Sequence, residues 1–315
     1  MNVLDWLLDS DPAIRWQTMR DLTDAAPAVI AGERARVTSE GIGAQILALQ
    51  EPDGTWRRDG APAWLSTLFT LLLLRSTGID HKQAAAATVV ERLHGLRWDH
   101  PDGCWNLHAK ASGGNPFFEG EEEPCINGGV LAIGGYFGQP AERLAQRLLS
   151  EQLADGGWNC EAPTSCRSSF HTTICVLEGL LEYERAAGST PALRAARRRG
   201  EEYLLERHLF RRLSTGEAAS PQFLELAFPP RYLYDILRGL DYFRSAAPGV
   251  APDPRTPDAV GVIQSKRQAD GRWLLDHAYD EALPLTAGEA AGEPSRWNTL
   301  RALRVLRWCE RHSVR

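Results

Sequence analysis

Gln152-Leu153-Ala154-Asp155-Gly156-Gly157-Trp158 decides the reading of this chain, because it returns three more times in altered form. The other copies are Gln50–Trp56 (QEPDGTW), Trp98–Trp105 (WDHPDGCW) and Gln268–Trp273 (QADGRW). Each lies between two apolar, helix-like segments, and the register recurs at roughly fifty residues, with a degenerate copy around His208–Glu217. In each copy the Asp-Gly pair ends a helix, since Gly reaches left-handed dihedrals cheaply and Asp accepts local backbone bonds. The Trp after the turn is then placed to cover the end of the neighbouring repeat, with the Gln bridging its backbone. These tryptophans read as staples rather than catalysts.

Five helix–loop–helix units follow from this spacing. The expected inner helices are Trp64–Arg75, Cys125–Phe137, Phe170–Ala187, Tyr232–Ser245 and Trp297–Arg311. The expected outer helices are Ile42–Leu49, Ala84–Leu96, Ala141–Gln152, Arg194–His208 and Ala259–Lys266. Asn106–Pro124 and Pro248–Pro257 read as loops. Asp9-Ser10-Asp11-Pro12 is a helix-start signal, and the short helical pair it belongs to is expected beside the first repeat.

The repeat resembles the QW repeat of squalene and terpene cyclases and the related repeats of protein prenyltransferase β-subunits, over about residues 40–310. The resemblance implies an all-α fold, an α/α toroid whose inner helices line a central cavity. At 315 residues the continuous array argues for one domain over 1–315, with an N-terminal extension over 1–40 and repeats over 41–312. Forty-three per cent apolar residues and ten Trp suffice for a large core, and a net charge of −6 gives no support for nucleic-acid binding. The acidic N-terminus MNVLDWLLDSDP lacks the order of a secretion signal, and the longest apolar run, Trp64–Leu74, is too short to span a bilayer. The expectation is a cytoplasmic protein whose six cysteines are thiols or ligands rather than a disulfide framework.

Overlaying the second, third and fourth inner helices puts Cys125, His171 and Arg231 at equivalent starts, which in a toroid share one rim. Thiolate and imidazole are good zinc ligands, and Glu123, two residues before the cysteine, offers a third donor that leaves a fourth position open. Cys160 and Cys166 lie close enough in sequence to substitute for Glu123. The run Phe170-His171-Thr172-Thr173-Ile174-Cys175-Val176-Leu177-Glu178-Gly179-Leu180 is similar to the histidine segment of prenyltransferase β-subunits, and Glu123-x-Cys125 sits where those enzymes carry Asp-x-Cys. That resemblance implies Cys125 and His171, and with them Glu123, as ligands of one zinc ion. The bland alternatives are a hydrogen-bonded core histidine and a cysteine that acts as a small hydrophobe. The rest of the acidic run Glu119–Glu122 reads as solvated surface.

Phe228–Asp235 opens the fourth inner helix with Arg231, Tyr232, Tyr234 and Asp235 as candidate catalytic groups: a guanidinium for a diphosphate, two hydroxyl donors and a base. The competing reading pairs Arg231 with Asp235 along the helix. Arg296 is a further anion contact. The clustered acids that a proton-initiated cyclase needs are missing, and few basic residues are gathered for a diphosphate. The leading expectation is a zinc-dependent, prenyltransferase-like enzyme that transfers an alkyl or prenyl group to a thiol or similar nucleophile, with an isoprenoid or other apolar small molecule as substrate. A metal-free terpene cyclase-like or lipid-binding toroid and a non-catalytic interaction protein are the alternatives. Neither the substrate nor the need for a second subunit is readable.

Overall fold

Apolar stripes bounded by Pro or Asp at one end and Gly at the other give helices nearly everywhere they are expected. The computed structural model describes residues 2–99, 106–109 and 114–313. Three helices come first: α1 (Val3–Leu8), α2 (Pro12–Leu22) and α3 (Pro27–Ala35). The remaining helices follow as α4 (Gly41–Ala48), α5 (Ala63–Thr77), α6 (Ala84–Leu93), α7 (Pro124–Tyr136), α8 (Glu142–Ser150), α9 (Phe170–Ala187), α10 (Pro191–Glu206), α11 (Ile236–Ala246), α12 (Pro257–Ser265) and α13 (Arg296–Ser313). The chain is all-α, with only short strands among the described residues.

Those strands correct one expectation. The stretch read as a loop from Asn106 holds β2 (Asn106–Ala109) and β3 (Asn115–Pro116), both antiparallel to β1 (Leu96–Asp99). Trp98 of β1 is buried, stacked on Phe117, and its indole donates to the Phe117 carbonyl at 2.9 Å. The second copy of the repeat motif runs into residues 100–105, so Cys104 and Trp105 lie outside the described residues. A second small ladder joins β4 (Trp273–Leu274) to β5 (Pro294–Ser295).

At three of its copies the repeat motif staples an outer helix to the following inner helix in the same way. The indole N–H of Trp56 donates to the Ile46 carbonyl at 2.8 Å, that of Trp158 to Leu148 at 2.7 Å and that of Trp273 to Ile263 at 2.7 Å. The backbone N–H of the same residues donates to Thr67, Thr173 and Thr299 hydroxyls at 3.1, 3.1 and 3.0 Å. One tryptophan thus ties the last turn of an outer helix to the first turns of its own inner helix. The link to the next repeat falls to the glutamine: Gln152 donates to Ala196 of α10 at 2.8 Å, and Gln50 accepts from Arg92 of α6 at 3.2 Å. Gly156 sits at φ +96°, and a Cβ there would collide with the Arg199 carbonyl, so the turn requires glycine.

The chain divides into two compact units. One comprises residues 37–201 and 280–285, and its centre is the pairing of α7 with α9. Gly128 and Gly179 meet backbone to backbone, which brings the two helix axes close and buries Val130, Leu131, Ile174, Val176, Leu177 and Leu180 completely. Each such side chain contributes about 1.5–3 kcal/mol of apolar burial. Arg75 of α5 reaches Glu182 of α9 at 3.0 Å in the same unit.

The other unit comprises residues 1–36, 202–279 and 286–315. Here α2, started by an Asp11 cap on the Ala13 N–H at 2.8 Å and by Pro12, packs on α13. The N-terminal helices are thus tied to the last described helix of their own unit. A buried charge network strengthens the tie: Arg304 of α13 pairs with Asp241 of α11 and lies 3.7 Å from Asp21 of α2, and Arg244 holds Asp241 at 2.8 Å.

Candidate metal centre

The entry to α7 is a loop folded around one asparagine. Asn127, fully buried in the first turn of the helix, accepts the Glu121 N–H at 2.7 Å and donates back to the Glu121 carbonyl at 2.9 Å. Arg147 of α8 donates to the same carbonyl and to that of Glu122, the latter at 3.1 Å. The Glu121 carboxylate turns inward and accepts the N–H groups of Glu122 and Glu123 at 2.5 and 2.7 Å. Burial pushes its pKa up to about 8 against those two bonds. Glu121 is thus a buried brace of the loop and not the solvated surface the charge run suggests.

This brace delivers Glu123 and Cys125 to the head of α7, where the Cys125 thiol donates to the Glu123 carboxylate at 3.5 Å. Across from them, the chain leaves Trp158 and turns back on Asn159, whose side chain donates to the Arg167 carbonyl at 2.7 Å and to the Ser165 hydroxyl at 3.1 Å. The turn places Cys160 over the start of α9, with its sulfur 3.4 Å from the Thr172 hydroxyl. Glu123, Cys125 and Cys160 each present one donor atom within 4.8 Å of the others, and all three are half-buried.

The electrostatics are those of a site short of positive charge. Cys125 and Cys160 share a hydrogen bond, which with burial and the neighbouring Cys160, Cys175 and Glu123 charges pushes the Cys125 thiol far up. The same bond from Cys125 pulls Cys160 down. A tetrahedral zinc ion with bonds of about 2.0–2.3 Å keeps its donors about 3.3–3.8 Å apart, so three donors within 4.8 Å fit it with small side-chain adjustments. A divalent cation would also offset the crowding of these three donors.

The convergent set differs from the expected one by a single residue. Glu123 and Cys125 stand in it as expected, but the third member is Cys160, whereas His171 is half-buried at the second position of α9 and outside the set. The Asn159 turn is the reason, because it folds Cys160 back onto Thr172. Cys166, the other stand-in, is exposed, and Cys175 is buried one turn beyond His171.

Arg231, Tyr232, Tyr234 and Asp235 belong to the other compact unit. They precede α11 instead of opening it: Asp235 caps the helix by accepting the Arg238 N–H at 2.7 Å, so Arg231 and Asp235 are not a helical i, i+4 pair. The Tyr234 hydroxyl is buried and donates to the Leu209 carbonyl at 2.6 Å. Arg231, at φ +49°, donates from Nε to the Tyr279 carbonyl at 2.7 Å and lies over the Tyr279 ring, while Tyr232 is exposed. Arg296, the further anion contact, lies over the Trp6 ring and donates to the Asp9 carbonyl at 3.2 Å, a structural role in joining α13 to α1.

No protein-family model matches this chain, and no curated protein matches it. Solved structures do. The apo structure of type II terpene cyclase MstE from Scytonema is similar at 16% identity and a TM-score of 0.46, over 94% of this chain and 86% of that one. These are cyclases. A variant of the same enzyme with its product merosterolic acid A gives the same identity and TM-score, and a variant with its substrate geranylgeranyl dihydroxybenzoate gives 17% identity, a TM-score of 0.46, and 95% and 86% coverage. No residue role is taken from this likeness. Among the described residues no helix is long and apolar enough to cross a membrane.

Proposed function

We propose that this chain binds one zinc ion through Glu123, Cys125 and Cys160 and uses the site to activate a thiol or similar nucleophile for alkyl or prenyl transfer. The observation that carries the reading is the convergence of two thiols and a carboxylate from two separate segments, braced by Asn127, Arg147 and Asn159. Such a donor set favours a borderline-soft cation over magnesium or calcium, which take oxygen ligands. Zinc, when bound, lowers the pKa of a thiol and holds it as thiolate toward an electrophile.

Three protein donors leave a fourth position for the nucleophile, whereas His171 as a fourth ligand would close the site into a structural one. The three-donor reading makes His171 a neighbour of the nucleophile. Separately, within the other unit, Arg231 is proposed as an anion contact and the exposed Tyr232 as a hydroxyl donor, and an isoprenoid is proposed as the apolar substrate. Tyr234 and Asp235, one bonded to Leu209 and one capping α11, are proposed to hold that segment in shape.

The test is thioether formation from geranylgeranyl diphosphate and a small thiol, followed by mass spectrometry with and without 1,10-phenanthroline. Product that disappears with chelator and in Cys125→Ser meets the proposal. Isoprenoid binding or cyclisation that is indifferent to chelator would instead select the metal-free, cyclase-like alternative. An absence of both isoprenoid binding and turnover would leave the interaction-protein reading.

A further inference from the structure

The two sulfurs of the cluster come from separate segments: Cys125 stands in the first turn of α7, and Cys160 on the turn that Asn159 closes. Neither is in a disulfide, both are half-buried, and their sulfurs lie within 4.8 Å. A disulfide needs about 2.05 Å between sulfurs. Of the neighbouring cysteines, Cys166 is exposed and Cys175 is buried inside α9.

We infer that Cys125 and Cys160 form a reversible dithiol–disulfide couple, a redox site whose oxidant is a hydroperoxide. The step balances in two stages. One sulfur attacks the peroxide oxygen, the O–O bond breaks, and water or an alcohol leaves as that sulfur becomes a sulfenic acid. The second sulfur then attacks the first, the S–O bond breaks, and water departs with the remaining thiol proton. Two electrons pass from the sulfur pair to the peroxide, and a dithiol reductant returns them. In the oxidised state neither sulfur is a thiolate, so the same two residues are unable to serve as metal donors. The couple depends on the proximity of the sulfurs alone and stands whether or not zinc binds.

The experiment uses full-length, metal-free protein treated with stoichiometric hydrogen peroxide, then non-reducing peptide mapping by mass spectrometry. The expected result is a mass loss of two hydrogens, two of the six thiols no longer alkylated, and a linked pair of peptides carrying Cys125 and Cys160 that dithiothreitol separates. In Cys125→Ser the link is expected to vanish and Cys160 to be trapped by dimedone as a sulfenic acid. A peroxide-treated wild type that retains all its thiols, or that links Cys125 to Cys175 or to a second chain, overturns the inference, and this readout needs no variant to fold. Zinc content is measured separately, so failure of the metal reading and failure of the couple are distinguishable.

Discussion

The sulfurs of Cys125 and Cys160 lie within 4.8 Å of each other, although one opens a helix and the other ends a turn that starts at a buried tryptophan. Neither residue is near the other in the chain. What joins them is a set of polar braces: Asn127 under the first segment, Asn159 under the second, and the close crossing of α7 and α9 beneath both.

Asn127→Ala removes both bonds to the Glu121 backbone and leaves a buried N–H without its acceptor. A loss of about 1–3 kcal/mol of unfolding free energy is expected. Because Asn127 itself offers no metal donor, a parallel drop in zinc affinity would report its positioning role. Equal zinc affinity in wild type and variant, by competition with a chromogenic chelator, would show that Glu123 and Cys125 are held by other means.

Trp158→Phe keeps most of the apolar bulk and deletes the indole bond to Leu148. The expected cost is about 0.5–1.5 kcal/mol for the bond, with a further cost for the orphaned carbonyl. Trp273→Phe should behave alike, since its bond to Ile263 has the same form. Urea unfolding measures both, and a stability loss confined to one of them would contradict the shared role of the staples.

Asp241 is buried among Arg304 and Arg244, and these arginines hold its carboxylate far below the ordinary range against the opposing effect of burial. A carboxylate depressed in the folded state contributes stability that is complete above its unfolded pKa, 3.8, and lost as pH falls through the folded value. Wild type should therefore lose stability steadily below about pH 4, and Asp241→Asn should lose the share of that slope that Asp241 carries, the lowered Asp21, Asp53, Glu202 and Asp253 keeping theirs. The variant should also be weaker at neutral pH by about 3–5 kcal/mol, because two buried guanidinium groups lose their partner. Chemical unfolding at pH 3 and pH 7 checks both statements.

Arg231→Leu removes a guanidinium already steadied by Tyr279. Binding of geranylgeranyl diphosphate should weaken roughly ten- to hundredfold, as the loss of one charged hydrogen-bonding partner at about 1.5–3 kcal/mol implies, with zinc content unchanged. Calorimetric titration of wild type and variant measures it. Equal affinities would remove Arg231 from the site.

Much of the architecture was legible because helices announce themselves locally. α9 spans Phe170–Ala187, as its apolar period and flanking Ser169 and Gly188 imply, and the Asp-Gly turns before Trp158 and Trp273 stand where expected. The errors came where a side-chain bond outweighed the period. α11 begins at Ile236 and not Tyr232 because the Asp235 cap and the prolines before it defer the helix. The strand β1 was hidden because four residues carry little alternation, and its partners are set by the Trp98 contacts with Phe117. At the site, spacing alone reached Glu123 and Cys125, which share a helix entrance. Cys160 was visible only as a substitute, since its place depends on Asn159 closing a turn, and Glu121 was missed because a charge run gives no sign of which carboxylate faces inward. Asn127, three positions after Pro124, was the one signal that a capping-type loop would fold there.

The most direct test is the zinc content, by inductively coupled plasma mass spectrometry, of full-length protein purified without a metal-affinity tag, beside Cys125→Ser, Cys160→Ser and His171→Ala, with circular dichroism to establish folding. Zinc near one equivalent in wild type and in His171→Ala, and near none in the two folded cysteine variants, is the result predicted. Wild type without zinc, or Cys160→Ser that keeps its zinc while His171→Ala loses it, would contradict the proposed centre.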